Sequence, residues 1–133
     1  MSVTVSLERL RHEIDQRVTA PYLLTVDNEG RPHCVAVDIT WRDDLLLVPI
    51  GNRSLANARA RSLVSVLWPP NDVGDFSLIV DATVTAANGT GTGDNLVTLQ
   101  PTRAVLHRPS QQGIDPEAPG CGADCVPLTD DGR

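Results

Sequence analysis

Residues 45–68 read LLLVPIGNRSLANARARSLVSVLW, and the order of elements in that stretch sets the architecture. LLLVPIG is a short apolar run, the length of a strand buried on both faces. From Ser54 to Arg61 the composition predicts a two-turn helix, with Ser54 placed to cap it. LVSVLW is a second strand, stopped at Pro69-Pro70. The connection concentrates Arg53, Arg59 and Arg61, three of the chain's eleven basic residues, in a protein of formal net charge −6. Such a local knot of positive charge asks for an anion. A strand ending at Gly51 leads through Asn52 and Arg53 into a helix whose first N–H groups have no intrahelical acceptor. The helix start therefore attracts negative charge before any side chain contributes. Arg53 adds a forked donor, and Ser54 and Asn57 add polar contacts.

The flanks of this stretch are β-rich. Residues 22–41, YLLTVDNEGRPHCVAVDITW, hold two runs around Asn28-Glu29-Gly30, whose turn chemistry makes them a hairpin. In the second run His33, Val35, Val37, Ile39 and Trp41 share one face, and Cys34, Ala36, Asp38 and Thr40 share the other. The bulky face belongs in the core, and the small face admits a flat molecule or the backbone of a partner. Upstream, SLERLRHEIDQR spaces Leu7, Leu10 and Ile14 for a short amphipathic helix capped by Ser6 and stopped by Pro21. Downstream, FSLIVDATVTAAN alternates as a long half-buried strand, GTGTGD is a turn, and LVTLQPTRAVLHR is the last strand, with Pro101 marking a bulge or an edge. Six strands and two short helices emerge over residues 1–108, one domain with no internal repeat. From 109 to 133 the composition shifts to a tail rich in Gly, Pro and Asp.

Several function classes drop out. The acidic balance opposes a phosphate backbone, so no nucleic-acid partner is expected. The chain has no lysine, which removes Schiff-base chemistry and Walker-type phosphate loops. No stretch has the length of a membrane span, and the first twenty residues lack the apolar core of a signal peptide, so a cytoplasmic protein without membrane contact is expected. Three cysteines do not make a disulfide framework. Cys34 and His33, adjacent on a strand, point to opposite faces and form no nucleophile–base pair, so Cys34 reads as a small hydrophobe. Cys121 and Cys125 are two ligands where tetrahedral zinc needs four, and His12 and His107 have no neighbour at ligand spacing, so no metal is expected. The glycines of GTGTGD do not have the spacing of a dinucleotide-binding loop.

Taken in order, PYLLTVDNEGRPHCVAVDITW, LLLVPIGNRSLANARARSLVSVLW and FSLIVDATVTA resemble the pyridoxamine 5′-phosphate oxidase-like split β-barrels, a superfamily with flavin- and deazaflavin-dependent reductases. The resemblance implies a mainly β, six-stranded split barrel and a homodimer with two cofactor sites at the subunit interface. It places the cofactor phosphate at Arg53, Ser54 and Asn57, and the ring beside Val35, Ala36, Val48, Pro49 and Ile50, with Trp68 either reaching it from the other subunit or lying in the core. Many members carry Lys three residues before the Asn and Arg two before that Lys, where this chain has Ser54 and Asn52. The arginine-and-tryptophan substrate motif of the true oxidase is missing, so pyridoxamine phosphate is not the expected substrate. The implied function is hydride transfer between FMN, or alternatively a deazaflavin coenzyme, and a small substrate, with no protein acid or base assigned. The rival expectation is a non-enzymatic split barrel that stores or senses flavin or haem, or has lost its cofactor.

Overall fold

The computed structural model describes residues 1–91 and 93–110. Its elements are β1 (Ser2–Val5), α1 (Leu7–Asp15), β2 (Tyr22–Val26), β3 (Pro32–Ala36), β4 (Thr40–Arg42), β5 (Leu45–Ile50), α2 (Asn52–Ala60), β6 (Leu63–Trp68), β7 (Ser77–Asn88) and β8 (Asn95–His107). Residues 111–133, with Cys121 and Cys125, lie outside the described residues, as does Thr92 in the GTGTGD connection. Among the described residues no helix is long and apolar enough to cross a membrane.

The strands form one antiparallel sheet in the order β3-β2-β6-β7-β8-β5-β4, with β1 added to the far end of β8. Period-two alternation turns Leu23, Val66, Leu78, Val80, Leu46, Val48, Val97 and Leu99 into a common core, each at most 1% exposed. α1 covers one side of this core with Leu10, and α2 covers another with Leu55 and Ala58.

Eight strands stand where six were expected, and the ladder does not close. Both differences have physical causes. β1 is four residues long and pairs Ser2 with His107, so its partner lies at the other end of the sequence and leaves no local trace. The run expected as one strand over 32–41 divides because its partner ends. Ala36 pairs Tyr22, Val37 N–H donates to the Pro21 carbonyl at 3.0 Å, and Pro21 has no N–H to return. The chain then crosses to β5, where Thr40 pairs Leu47. β3 and β4 are thus consecutive in sequence yet lie at opposite ends of the sheet, which splits the barrel between them.

Pro101 sits at a bulge, as its sequence position suggested. Asp81 pairs Arg103 and Ala82 pairs Pro101, leaving Thr102 without a partner residue. There β8 passes from β5, its neighbour over 95–99, to β1, its neighbour over 104–107. A missing N–H costs least at such a change of partner. α1 follows Ser6 as expected but ends at Asp15, well before Pro21. α2 starts earlier than expected: its N-cap is Gly51, in extended conformation, and Ser54 is its third residue.

Candidate functional site

The split itself makes the site. β5 outlasts β4 by three residues, because pairing with β4 stops at Leu47 while pairing with β8 continues to Ile50. This free end of β5 tolerates Pro49, and α2 starts directly from it. Facing it across the gap is β3. Between them lies a groove of about 470 Å³ lined by His33, Val35, Ala36 and Val37 on one side and by residues 49–54 on the other.

The α2 end of the groove is rich in unanswered donors. The first α2 bond is Leu55 N–H to the Gly51 carbonyl at 3.0 Å, so the N–H groups of Asn52, Arg53 and Ser54 precede the helical ladder. Gly51 has no side chain to cap them, and no side-chain cap bond forms. Ser54 is 2% exposed, lines the groove, and its hydroxyl has no hydrogen-bond partner among the described residues. Arg53 is exposed, also lines the groove, and has no hydrogen-bond or ion-pair partner among them. The other two arginines of the knot are committed: Arg59 Nε donates to the Ala87 carbonyl at 3.2 Å, and Arg61 donates to Asn28 Oδ1 at 3.0 Å.

Among the described residues no carboxylate lines this groove, although acidic residues outnumber basic ones in the chain, seventeen to eleven. Three other grooves each carry at least one: Glu8 and Asp44, Asp81, and Glu13 and Asp75. The arrangement suits an anion at the α2 end and a flat apolar group along Val35, Val37, Pro49 and Ile50.

Of the nine residues placed at the cofactor by sequence reasoning, six line the groove: Val35, Ala36, Pro49, Ile50, Arg53 and Ser54. Asn57, Val48 and Trp68 lie elsewhere. Asn57 is 6% exposed and its amide donates to Thr25 Oγ1 at 3.0 Å, fastening α2 onto β2. Val48 and Trp68 are 0% and 3% exposed, in the core of their own chain. The small face of the 32–41 run is exposed, as expected, but only Ala36 of it borders the groove, and Cys34 points elsewhere as a free exposed thiol. His33, Val37 and Asn52 are groove residues that sequence reasoning did not assign. His107 Nδ1 bonds Ser2 Oγ at 2.8 Å and His12 bonds Gln16 at 3.1 Å, both tying local structure together.

No protein-family model matches the sequence. Two mycobacterial proteins, the uncharacterized proteins Mb0449c of Mycobacterium bovis and MT0457 of Mycobacterium tuberculosis, are each 37% identical over 136 residues, covering 92% of this chain and 93% of theirs. Among solved structures, an FMN-binding protein from Syntrophomonas wolfei superposes with a TM-score of 0.60 at 15% identity, covering 77% of this chain and 86% of that one. An F420 reductase gives 0.57 at 17% identity, covering 67% and 90%. The heme storage protein HutZ from Vibrio cholerae gives 0.56 at 19% identity, covering 76% and 94%. These likenesses define the class, a split barrel of the pyridoxamine 5′-phosphate oxidase-like fold. Within that class the chain belongs to the family of the two mycobacterial proteins.

Proposed function

We propose that the chain binds a flavin-type cofactor in the split, its phosphate at the start of α2, and works as a homodimeric oxidoreductase on a small molecule. One observation supports the reading: a groove that, among the described residues, is lined by no carboxylate and gathers an arginine and a serine hydroxyl without partners and an uncapped helix start. A hydrogen bond between Arg53 and a phosphate contributes about 1.5–3 kcal/mol, and the helix start about 0.3–1 kcal/mol more. The fold likeness to FMN-binding and F420-reductase barrels supports the same class of ligand.

When bound, the flavin or deazaflavin ring supplies the hydride chemistry. The chain's own residues bind, orient and exclude water. Arg53, Ser54 and the first α2 amides hold the phosphate, while Val35, Val37, Pro49 and Ile50 offer the ring an apolar wall. FMN is the leading cofactor because the surface is acidic and a deazaflavin's glutamate tail adds negative charge; the deazaflavin is its competitor. A second copy of the chain, reached through the free edge of β3 and the exposed face of Cys34 and Ala36, completes the other wall. A reducing, cytoplasmic compartment suits the free Cys34 thiol.

Flavin titration followed by fluorescence and by melting temperature tests the proposal. Saturable FMN or deazaflavin binding that raises the melting temperature supports it. A colourless protein whose melting temperature ignores both cofactors overturns it and leaves a barrel without redox function. Sedimentation at micromolar concentration tests the dimer separately, and a strict monomer would remove the second wall.

A further inference from the structure

We infer that Asn52 is a further side-chain donor of this groove and that Asn95, which does not line it, is the positioning residue that makes Asn52 one. The inference rests on the phosphate reading above. Asn95 opens β8 and is 4% exposed, and a buried amide has to be hydrogen-bonded or costs its desolvation. Its Nδ2 donates to Asn52 Oδ1 at 2.9 Å. Asn52 is the first residue of α2, exposed and lining the groove. A side-chain amide has one acceptor oxygen and one NH2 group. With the oxygen engaged by Asn95, what Asn52 has left is the NH2 group, and it has no other partner among the described residues.

Asn95 is held in place from two directions. The β5–β8 ladder sets it opposite Ile50, two residues before Asn52. From the other side, a Cβ on Gly89 would lie 3.0 Å from Asn95 Oδ1 and 2.8 Å from Leu55 Cδ2, so the turn leaving β7 presses close on both Asn95 and α2. Without the Asn95 bond the Asn52 amide is free to rotate and offer its carbonyl oxygen, which repels an anion. With it, the side chains at this end of the groove, Asn52, Arg53 and Ser54, all have donors to give. Such a set favours a fully ionised phosphate monoester.

The test compares FMN with riboflavin, which has the same ring and no phosphate, on full-length variants. Asn52→Ala and Asn95→Ala are each expected to weaken FMN binding about tenfold and to leave riboflavin binding unchanged. Asn95→Asp removes the donor, so Asn52 must turn its NH2 inward, and FMN binding falls further than in Asn95→Ala. Asn52→Asp keeps the Asn95 bond but aims a carboxylate oxygen at the ligand, for a loss of about a hundredfold. If FMN and riboflavin weaken together in Asn95→Ala, the residue is only packing and the inference falls. Asn52→Asp keeps an acceptor for the buried Asn95 amide, so it tests the inference even if Asn52→Ala or the Asn95 variants fail to fold, and unchanged FMN affinity in Asn52→Asp also overturns it. Loss of FMN binding in Arg53→Ala with none in the Asn52 and Asn95 variants would sink this inference and leave the phosphate reading standing; an Arg53→Ala protein that binds FMN normally would remove both.

Discussion

The two helices of this protein are a natural pair for comparison. Each spans nine residues, each follows an N-cap that makes no side-chain hydrogen bond, and each inserts a leucine into the core, Leu10 at 1% and Leu55 at 7% exposed. Each also borders a groove, about 410 Å³ beside α1 and about 470 Å³ beside α2. Their arginines differ. Arg11 on α1 lies over the Trp41 ring at 4.4 Å and donates to the Asp43 carbonyl, at a turn where Asp43 adopts φ 55°. Glu8 and Asp44 line that groove too. Among the described residues, Arg53 on α2 has neither a ring, a carbonyl nor a carboxylate as partner. An arginine bound to its own protein adds stability, and one left beside a carboxylate-free groove is available to a ligand.

Substituting the anchoring leucines probes the pair at its largest scale. Leu10→Ala and Leu55→Ala are each expected to cost about 2–5 kcal/mol of stability, measured by urea unfolding. Their consequences for FMN should separate. The folded fraction of Leu10→Ala keeps its affinity, whereas Leu55→Ala loosens the helix that carries Asn52, Arg53 and Ser54 and weakens binding. Equal effects on FMN would mean that the α2 groove is not the site.

The arginines themselves come next. Arg53→Ala should raise the FMN dissociation constant about ten- to a hundredfold, the equivalent of about 1.5–3 kcal/mol, with the melting temperature of the free protein unchanged. Arg11→Ala should do the reverse, losing about 0.5–1 kcal/mol of stability with FMN affinity intact. A smaller effect tests the charge contrast between the grooves. Ala36→Asp would give the α2 groove a carboxylate like those beside α1, weakening FMN about three- to tenfold at low salt and less as salt screens it. No change at low salt would show that the absence of acid there is incidental.

How far the sequence disclosed all this depends on the range of each interaction. Residues 63–68 and 77–88 were legible as strands because alternation is local. β1 was not, since four residues gain their conformation from pairing with residues 104–107. The break between β3 and β4 was hidden because it is set by where β2 runs out, at Pro21. Strand–helix order and the family resemblance point to Arg53, Ser54, Val35, Ala36, Pro49 and Ile50, which line one groove. Asn57, expected beside them, does not line that groove, and the difference comes from the helix start. With Ser54 as cap, Asn57 would be the third residue and in reach of the helix end; with Gly51 as cap it is the sixth, a turn further in and turned toward Thr25. His33 and Val37 were assigned to the core face, since period two says which residues share a face and not whether the sheet leaves part of that face open. Asn95 has no local signal, because its partner Asn52 lies 43 residues away.

The smallest expected effect concerns the far end of α2, where the remaining arginines stabilise the fold. Arg61 reaches the turn between β2 and β3 through Asn28. Beside it, Asp27 Oδ1 accepts the N–H groups of Glu29 at 2.8 Å and Arg31 at 2.9 Å. The Arg31 N–H bond, helped by the Glu29 N–H and by the charges of Arg31 and Arg61, holds the Asp27 carboxyl below the ordinary aspartate range. A carboxyl that binds its proton less readily when folded stabilises the protein above its unfolded pKa, near 3.9, and loses that contribution as pH falls through the lower folded value. Wild type should therefore melt above Asp27→Ala at pH 7 and at pH 5, with the gap narrowing as pH falls below 4. The melting-temperature gap is the measurement, and Arg53→Ala is its control, because Arg53 has no partner among the described residues and so no proton-linked contact with them to lose. If the Asp27 gap stays constant down to pH 2, the carboxylate charge is not what holds the turn, and the division at α2 between Arg59 and Arg61, which serve the fold, and Arg53 would have to be redrawn.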